Sequence, residues 1–150
     1  MNHDVTKQLN ELIETSKDGE QGFLKSARDT KTAELSTLFT QCAQRCAEGA
    51  RELQSLVRDL GGDPEKSGSA TAALHRGWIS VKEAVSSRDD KAILEEVDRG
   101  EDYAKEQYRQ ALEQDLPANV RAVVERQYRG VVANHDKVRA LRDRYRSSTH

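Results

Sequence analysis

A chain of 150 residues with 35% hydrophobic and 33% charged residues is long enough for one domain with one core, which excludes an array of catalytic domains. A formal charge of -2 and a pI near 6.1 exclude the global basic signature of nucleic-acid binding. No apolar run is long enough to span a bilayer, and the polar start MNHDVTKQLNEL lacks the apolar centre of a signal peptide, so neither a membrane nor an export route is expected and the expected compartment is the cytoplasm.

The apolar residues recur at helical spacing almost throughout, which separates a lean folded chain from a disordered one. A first helix is predicted from about Asp4 to Arg28, its stripe running through Val5, Leu9, Leu12, Ile13, Ser16, Glu20, Phe23, Leu24 and Ala27. A second follows DTKT, where Thr30 or Thr32 can cap, with Leu35, Leu38, Cys42, Arg45, Gly49, Leu53, Leu56 and Leu60 on its stripe. GGDPEKSGS ends it, glycine then proline being a strong stop signal. A shorter third helix is predicted over about residues 68–86, with Ala73, Leu74, Trp78, Val81 and Val85 apolar; a fourth spans about Asp89 to Gln114 through Ile93, Leu94, Val97, Glu101, Ala104, Tyr108, Ala111 and Leu112. The last begins at LPANV, where Pro117 suits a first turn, and runs to about Arg144 through Val120, Val123, Val124, Gln127, Val131, Val138, Leu141 and Tyr145.

Four helices of roughly 25 to 30 residues, about 40 Å each, suit a bundle. Short links make the first pair and the last pair antiparallel, whereas the stretch of about residues 61–88 is long enough to return to the opposite end. The expected fold is therefore all-α: residues 1–150 as a single ferritin-like four-helix bundle, with one long crossover that carries the additional short helix.

Laying the chain on itself so that Gly19-Glu20 meets Gly100-Glu101 aligns LIETSKDGEQGF with ILEEVDRGEDYA, as either a duplicated helical hairpin or the shared period of two amphipathic helices would. In the ferritin-like plan an inward Glu on each of two helices and an ExxH pair on each of the others converge on two metal ions. Glu20 and Glu101 match the first two places, but the ExxH places hold RCAE, Arg45 to Glu48, and QYRG, Gln127 to Gly130, with no histidine. Three readings stay open. Glu20, Arg45, Glu48, Glu101 and Gln127 can form a metal-free polar layer, the guanidinium and amide compensating the carboxylates; the glutamates can lie at solvated stripe edges; or Glu20 and Glu101 can ligate a divalent metal.

Other features carry less. Cys42 and Cys46, one turn apart on a helix, suit small apolar packing in a reducing compartment better than a disulfide or metal site. His75 and Trp78 could line a pocket beside the crossover, though Trp78 as a packing anchor is the simpler reading. His135-Asp136 reads as a satisfied pair at the bundle edge, and the basic KVRALRDRYRSSTH as cations complementing a helix C-terminus. No phosphate loop, nucleophile elbow or Ser/His/Asp arrangement is visible.

The stretches LIETSKDGEQGF, LGGDPEKSGSATAALHRGW, ILEEVDRGEDYAKEQYRQAL and NHDKVRALRDR resemble a family of small bacterial ferritin-like four-helix-bundle proteins of unknown function. The resemblance spans nearly the whole chain and implies the ferritin-like superfamily without an established reaction. Arg45 and Gln127 at the ligand places argue against ferroxidase, peroxidase or oxygenase chemistry. The expectation is a non-catalytic binding or stress-associated protein with no cofactor. The competing expectation is an iron- or manganese-dependent oxidase or iron-handling protein with an atypical ligand set, and a third is a homo-oligomer joined through an exposed bundle face.

Overall fold

A computed structural model describes residues 2–64 and 90–148 of the chain. Among them are four helices: α1 (Asn2–Asp29), α2 (Ala33–Asp59), α3 (Asp90–Leu112) and α4 (Ala118–Ser148). The predicted short helix, with His75 and Trp78, lies outside the described residues. Among the described residues no helix is long and apolar enough to cross a membrane.

The helices begin and end where the sequence chemistry requires. Asp4 and Arg28 complement the dipole of α1 at its two ends. At the end of α2, Gly61 adopts φ 81°, which a residue with a Cβ resists. That turn lets the Gly61 N–H reach the Arg58 carbonyl at 2.9 Å and the Gly62 N–H reach the Val57 carbonyl at 3.0 Å, the two bonds of a Schellman cap. At the start of α4 the Pro117 carbonyl accepts the Arg121 N–H at 2.8 Å, and the Arg121 guanidinium donates back to the Leu112 and Gln114 carbonyls at 3.0 and 2.6 Å. One arginine of α4 thus satisfies carbonyls left open at the C-terminal end of α3.

Burial of the helix faces produces two apolar cores, and their membership fixes the topology. One joins Val5, Leu9, Leu12 and Ile13 with Leu53, Val57, Tyr108, Ala111, Val120 and Val124; the other joins Phe23 with Leu35, Phe39, Ile93, Leu94, Val97, Val138 and Leu141. The first half of α1 thus packs with the last part of α2, the last part of α3 and the first part of α4, and the reverse holds at the other end. The two hairpins α1/α2 and α3/α4 are therefore antiparallel, α2 and α3 run in parallel, and residues 60–89 connect opposite ends of the bundle. α1 also packs along α3, whereas α2 and α4 touch only lightly.

The link between α1 and α2 departs from the expected cap. Thr32 occupies the N-cap position of α2, but its hydroxyl makes no bond to the helix amides. Instead the Asp90 carboxylate at the start of α3 accepts the Thr32 and Thr30 hydroxyls, the latter at 2.5 Å, and the Lys31 backbone N–H at 3.1 Å. Burial alone would raise the Asp90 pKa, and these donors outweigh it and hold it below the ordinary aspartate value. The helix start gives up its own cap so that the far hairpin can be tied to the first.

Replacing Asp90 by Ala is expected to cost about 1–3 kcal/mol in urea unfolding, the range for losing a charged acceptor of several donors. Because the folded-state pKa is depressed, the contribution of Asp90 is complete above the unfolded value of about 3.9 and is lost as the pH falls further. The gap between wild type and Asp90→Ala should accordingly narrow in acid.

Candidate functional site

Between the two apolar cores the inward positions are small: Gly19 on α1, Gly49 on α2, Ala104 on α3 and Gly130 on α4 line a cavity of about 450 Å³. Helix interiors disfavour glycine by roughly 0.5–1 kcal/mol relative to alanine, so three glycines at one level are a real cost. At Gly19 the packing is close: an added Cβ would lie 3.1 Å from Cys46 Sγ, and the thiol would have to yield by a few tenths of an ångström. The other two have room: a Cβ at Gly49 would meet Gln127 at 3.6 Å, and one at Gly130 would meet only Arg45 Cδ, at 3.9 Å.

One floor of the cavity is a hydrogen-bond relay that touches all four helices. Tyr108 donates its hydroxyl to Gln127 Oε1 at 2.7 Å, which makes Ser16 Oγ, 3.4 Å away, the donor to Tyr108. Gln127 Nε2 donates to Glu52 Oε1 at 2.8 Å and to the Gly49 carbonyl at 3.3 Å, and the second Glu52 oxygen accepts from Arg126. Burial pulls the Glu52 pKa upward, but the bonds from Arg126 and Gln127 prevail and leave it below the ordinary glutamate value. Burial also drives the Tyr108 pKa far above its usual value, so the phenol keeps its proton and its place as a donor.

The other end is a shorter relay. Cys42 donates to Asn134 Oδ1 at 3.1 Å, and Asn134 Nδ2 donates to Glu101 Oε2 at 2.5 Å. Glu101 is only 4% exposed, and its Oε1 is buried without a hydrogen-bond partner. Burial raises the Glu101 pKa to about 8, with the negative charge of Asp98 adding and the Asn134 bond and Arg45 opposing. Glu101 therefore carries a proton at neutral pH. Burial and the same carboxyl group raise the Cys42 pKa to about 11 and push Cys46 higher still, so both are neutral thiols, in keeping with small apolar packing.

Of the residues singled out from the sequence, Arg45, Glu48, Glu101 and Gln127 line this cavity, and Glu20 does not. Arg45 and Glu48 are exposed at the rim, and among the described residues no hydrogen bond or ion pair joins Arg45 to Glu101. Glu20 is half-buried at the edge of the α1 face, 3.8 Å from Lys17 of its own helix. The two carboxylates matched by the internal repeat are thus in unlike surroundings. A pair of metal ions in the ferritin-like arrangement needs several carboxylates and histidines converging on one point. The carboxyls lining this level do not converge as such a pair needs: Glu101 is buried on Asn134, Glu52 is taken by Arg126 and Gln127, and Glu48 is exposed at the rim, with no histidine in the lining; among the described residues no three His, Cys, Asp or Glu side chains are placed to hold a metal ion.

Four groups that build the site were missed from the sequence: Asn134, Glu52, Arg126 and Asp98. Asn134 could have been found, since it lies two turns beyond Gln127 on the same stripe. Asp98 forms a second polar cluster between α3 and α4. It is buried, accepts from Arg142 Nη1 at 2.8 Å and Arg139 Nε at 3.3 Å, and lies 3.2 Å from His135 Nε2. His135 is therefore not an edge group paired with Asp136, which is exposed. It is 1% exposed in the core, and burial lowers its pKa despite the opposing charge of Asp98, leaving a neutral imidazole at neutral pH.

The raised Glu101 pKa is a statement about stability. The unfolded carboxyl ionises above about pH 4.3 while the folded one holds its proton, so stability present below that pH is lost as the pH rises toward 8, by at most about 1.4 kcal/mol per pH unit. Glu101→Gln keeps an acceptor for Asn134 without the titration. Its stability relative to wild type, from urea unfolding at successive pH values, should therefore improve across this window and level off above it.

No curated protein matches the chain. Residues 4–114, which cover α1, α2 and α3 but not α4, match the model of a family described as a domain of unknown function (DUF2383), and the chain belongs to that family.

Proposed function

We propose that this protein is a non-catalytic binding bundle, whose ligand is a small and largely apolar molecule held in the central cavity. The observation that carries the reading is a cavity of about 450 Å³ lined in part by Glu101, a buried carboxyl with one oxygen that has no hydrogen-bond partner. Small-molecule sites span roughly 300–1,000 Å³, and are mostly apolar with a few placed polar groups. Phe23, Ala104 and Val131 supply the apolar wall here, and Glu101 the open polar group. A buried polar atom without a partner costs about 1–3 kcal/mol, which a ligand satisfying it would recover. The connectivity, two antiparallel hairpins joined by a chain returning the length of the bundle, supports reading the fold as ferritin-like. In this reading the metal level of that architecture is given over to an organic ligand.

The test is thermal unfolding with ethylbenzene as a neutral probe. A ligand that binds only the folded state stabilises it by mass action, so the wild-type Tm should rise with probe concentration. Gly130→Leu, which places a side chain in the cavity, should fold and show no such rise. An unchanged wild-type Tm at saturating ethylbenzene, or an equal rise in Gly130→Leu, would rule out the cavity as a binding site.

A further inference from the structure

We infer that the ligand of the central cavity is an organic ammonium ion, a primary amine on a small hydrocarbon body, bound through its N–H groups to the Glu101 carboxylate; this rests on the binding reading above. The choice follows from what the other polar groups already do. The Tyr108 hydroxyl is committed to Gln127, the Gln127 amide to Glu52 and the Gly49 carbonyl, and the Ser16 hydroxyl to Tyr108. No interior donor of this relay is left for a carboxylate or phosphate, which would also face Glu101. The open valence that Glu101 brings to the cavity lining is an acceptor once its carboxyl is ionised.

Charge points the same way. Arg45, Arg126, Glu48, Glu52 and Glu101 line the cavity, so the set bears one negative charge with Glu101 ionised and none with it protonated. Glu52 is neutralised by Arg126, and Arg45 and Glu48 are exposed at the rim one turn apart on α2. Among the described residues that line the cavity, Glu101 is then the one uncompensated carboxyl, and a single positive charge balances it. An isolated buried carboxylate is costly, whereas one paired with an ammonium that also donates a hydrogen bond is not. The rings of Phe23 and Tyr108 and the side chain of Val131 line the remaining wall and suit the hydrocarbon.

Binding would move a proton in a defined way. In the empty protein Glu101 is protonated at neutral pH. As the ammonium enters, the Glu101 O–H bond breaks, its proton leaves to solvent, and the carboxylate accepts an N–H from the ligand, which keeps its own proton. The groups around Glu101 do not take that proton. Cys42 and Cys46 from α2 are already neutral thiols, Arg45 is a cation, α4 faces it with Asn134, and α1 presents Thr15, Ser16, Gly19 and Phe23 with Glu20 at the edge. Asp98, on the same helix, is held by Arg139 and Arg142 beside His135.

Calorimetric titration of the full chain with phenethylammonium chloride, phenethyl alcohol and ethylbenzene tests this. At pH 6.5, comparing buffers of different ionisation enthalpy, close to one proton should be released per ammonium bound and none per neutral ligand. Ammonium affinity should rise about tenfold per pH unit up to pH 8 and then flatten, since an alkylammonium, like lysine, keeps its charge to about pH 10. Glu101→Gln should weaken the ammonium at least tenfold and abolish proton release, while still binding ethylbenzene, which shows that its cavity is intact. Phenethyl alcohol or ethylbenzene binding more tightly than the ammonium at pH 8, or an ammonium affinity unchanged in Glu101→Gln, would overturn the inference and leave the cavity reading standing. Failure of all three ligands to bind would overturn both.

Discussion

Two apolar cores stacked along one bundle need something to hold the helices at the level between them, and here it is the relay from Ser16 through Tyr108 and Gln127 to Glu52. Its members come one from each helix, so each bond fixes the axial position of one helix against another. Each is worth only about 1 kcal/mol net, but a member left buried without its partner would cost more than that. The relay therefore sets register more than it adds stability, and the small residues next to it can leave a gap without the bundle sliding to close it. The same bonds decide what the gap can recognise. Donors consumed in holding the helices together are not available to a ligand, which leaves the Glu101 carboxyl as the group with something to offer.

The fold was legible because its signals are local and redundant. Helical period, the Gly-Gly-Asp-Pro stop after α2 and the contrast between short and long connections each point to antiparallel hairpins joined by a crossover, and the two cores have that arrangement. The site was legible only in part, since it depends on where each inward face is centred, and successive residues of a helix lie about 100° apart. On α2 a stripe drawn through Leu38, Leu56 and Leu60 carries Arg45 inward. The buried face keeps Leu35, Cys42 and Leu53 of the predicted stripe but turns toward Phe39, Ala43, Ala50 and Val57, and this turn brings Arg45 out to the rim. On α1 the inward position at the critical level is Gly19, so Glu20 falls at the edge, whereas on α3 it is Glu101 itself. Matching Gly-Glu pairs thus conceal a rotation of one residue that no comparison of the two stretches could reveal. α4 was hardest, because Asn134 and His135 are buried polar residues whose partners, Glu101 and Asp98, lie on another helix.

The two polar clusters of α3 do different work despite lying one turn apart. Asp98 is surrounded by cations and serves to hold α4 in place, whereas Glu101 has one amide donor and a bare oxygen. Burial pushes Glu101 toward the neutral form, and the negative charge of nearby Asp98 adds to that push. Fastening the helices at Asp98 thus helps keep a proton on Glu101.

The light contact between α2 and α4 gives the bundle a spine and a fore-edge. α1 against α3 is the spine, the hairpins are the two covers, and the fore-edge is a lightly packed seam crossed by the bonds of Gln127 and Arg126 to Glu52 and of Cys42 to Asn134. Widening that seam would part those few polar bonds and leave both apolar cores intact. Motions of that kind fall in the microsecond-to-millisecond range, far faster than unfolding. A guest at the centre of this protein would be exchanged like a leaf slipped between pages, with the binding untouched.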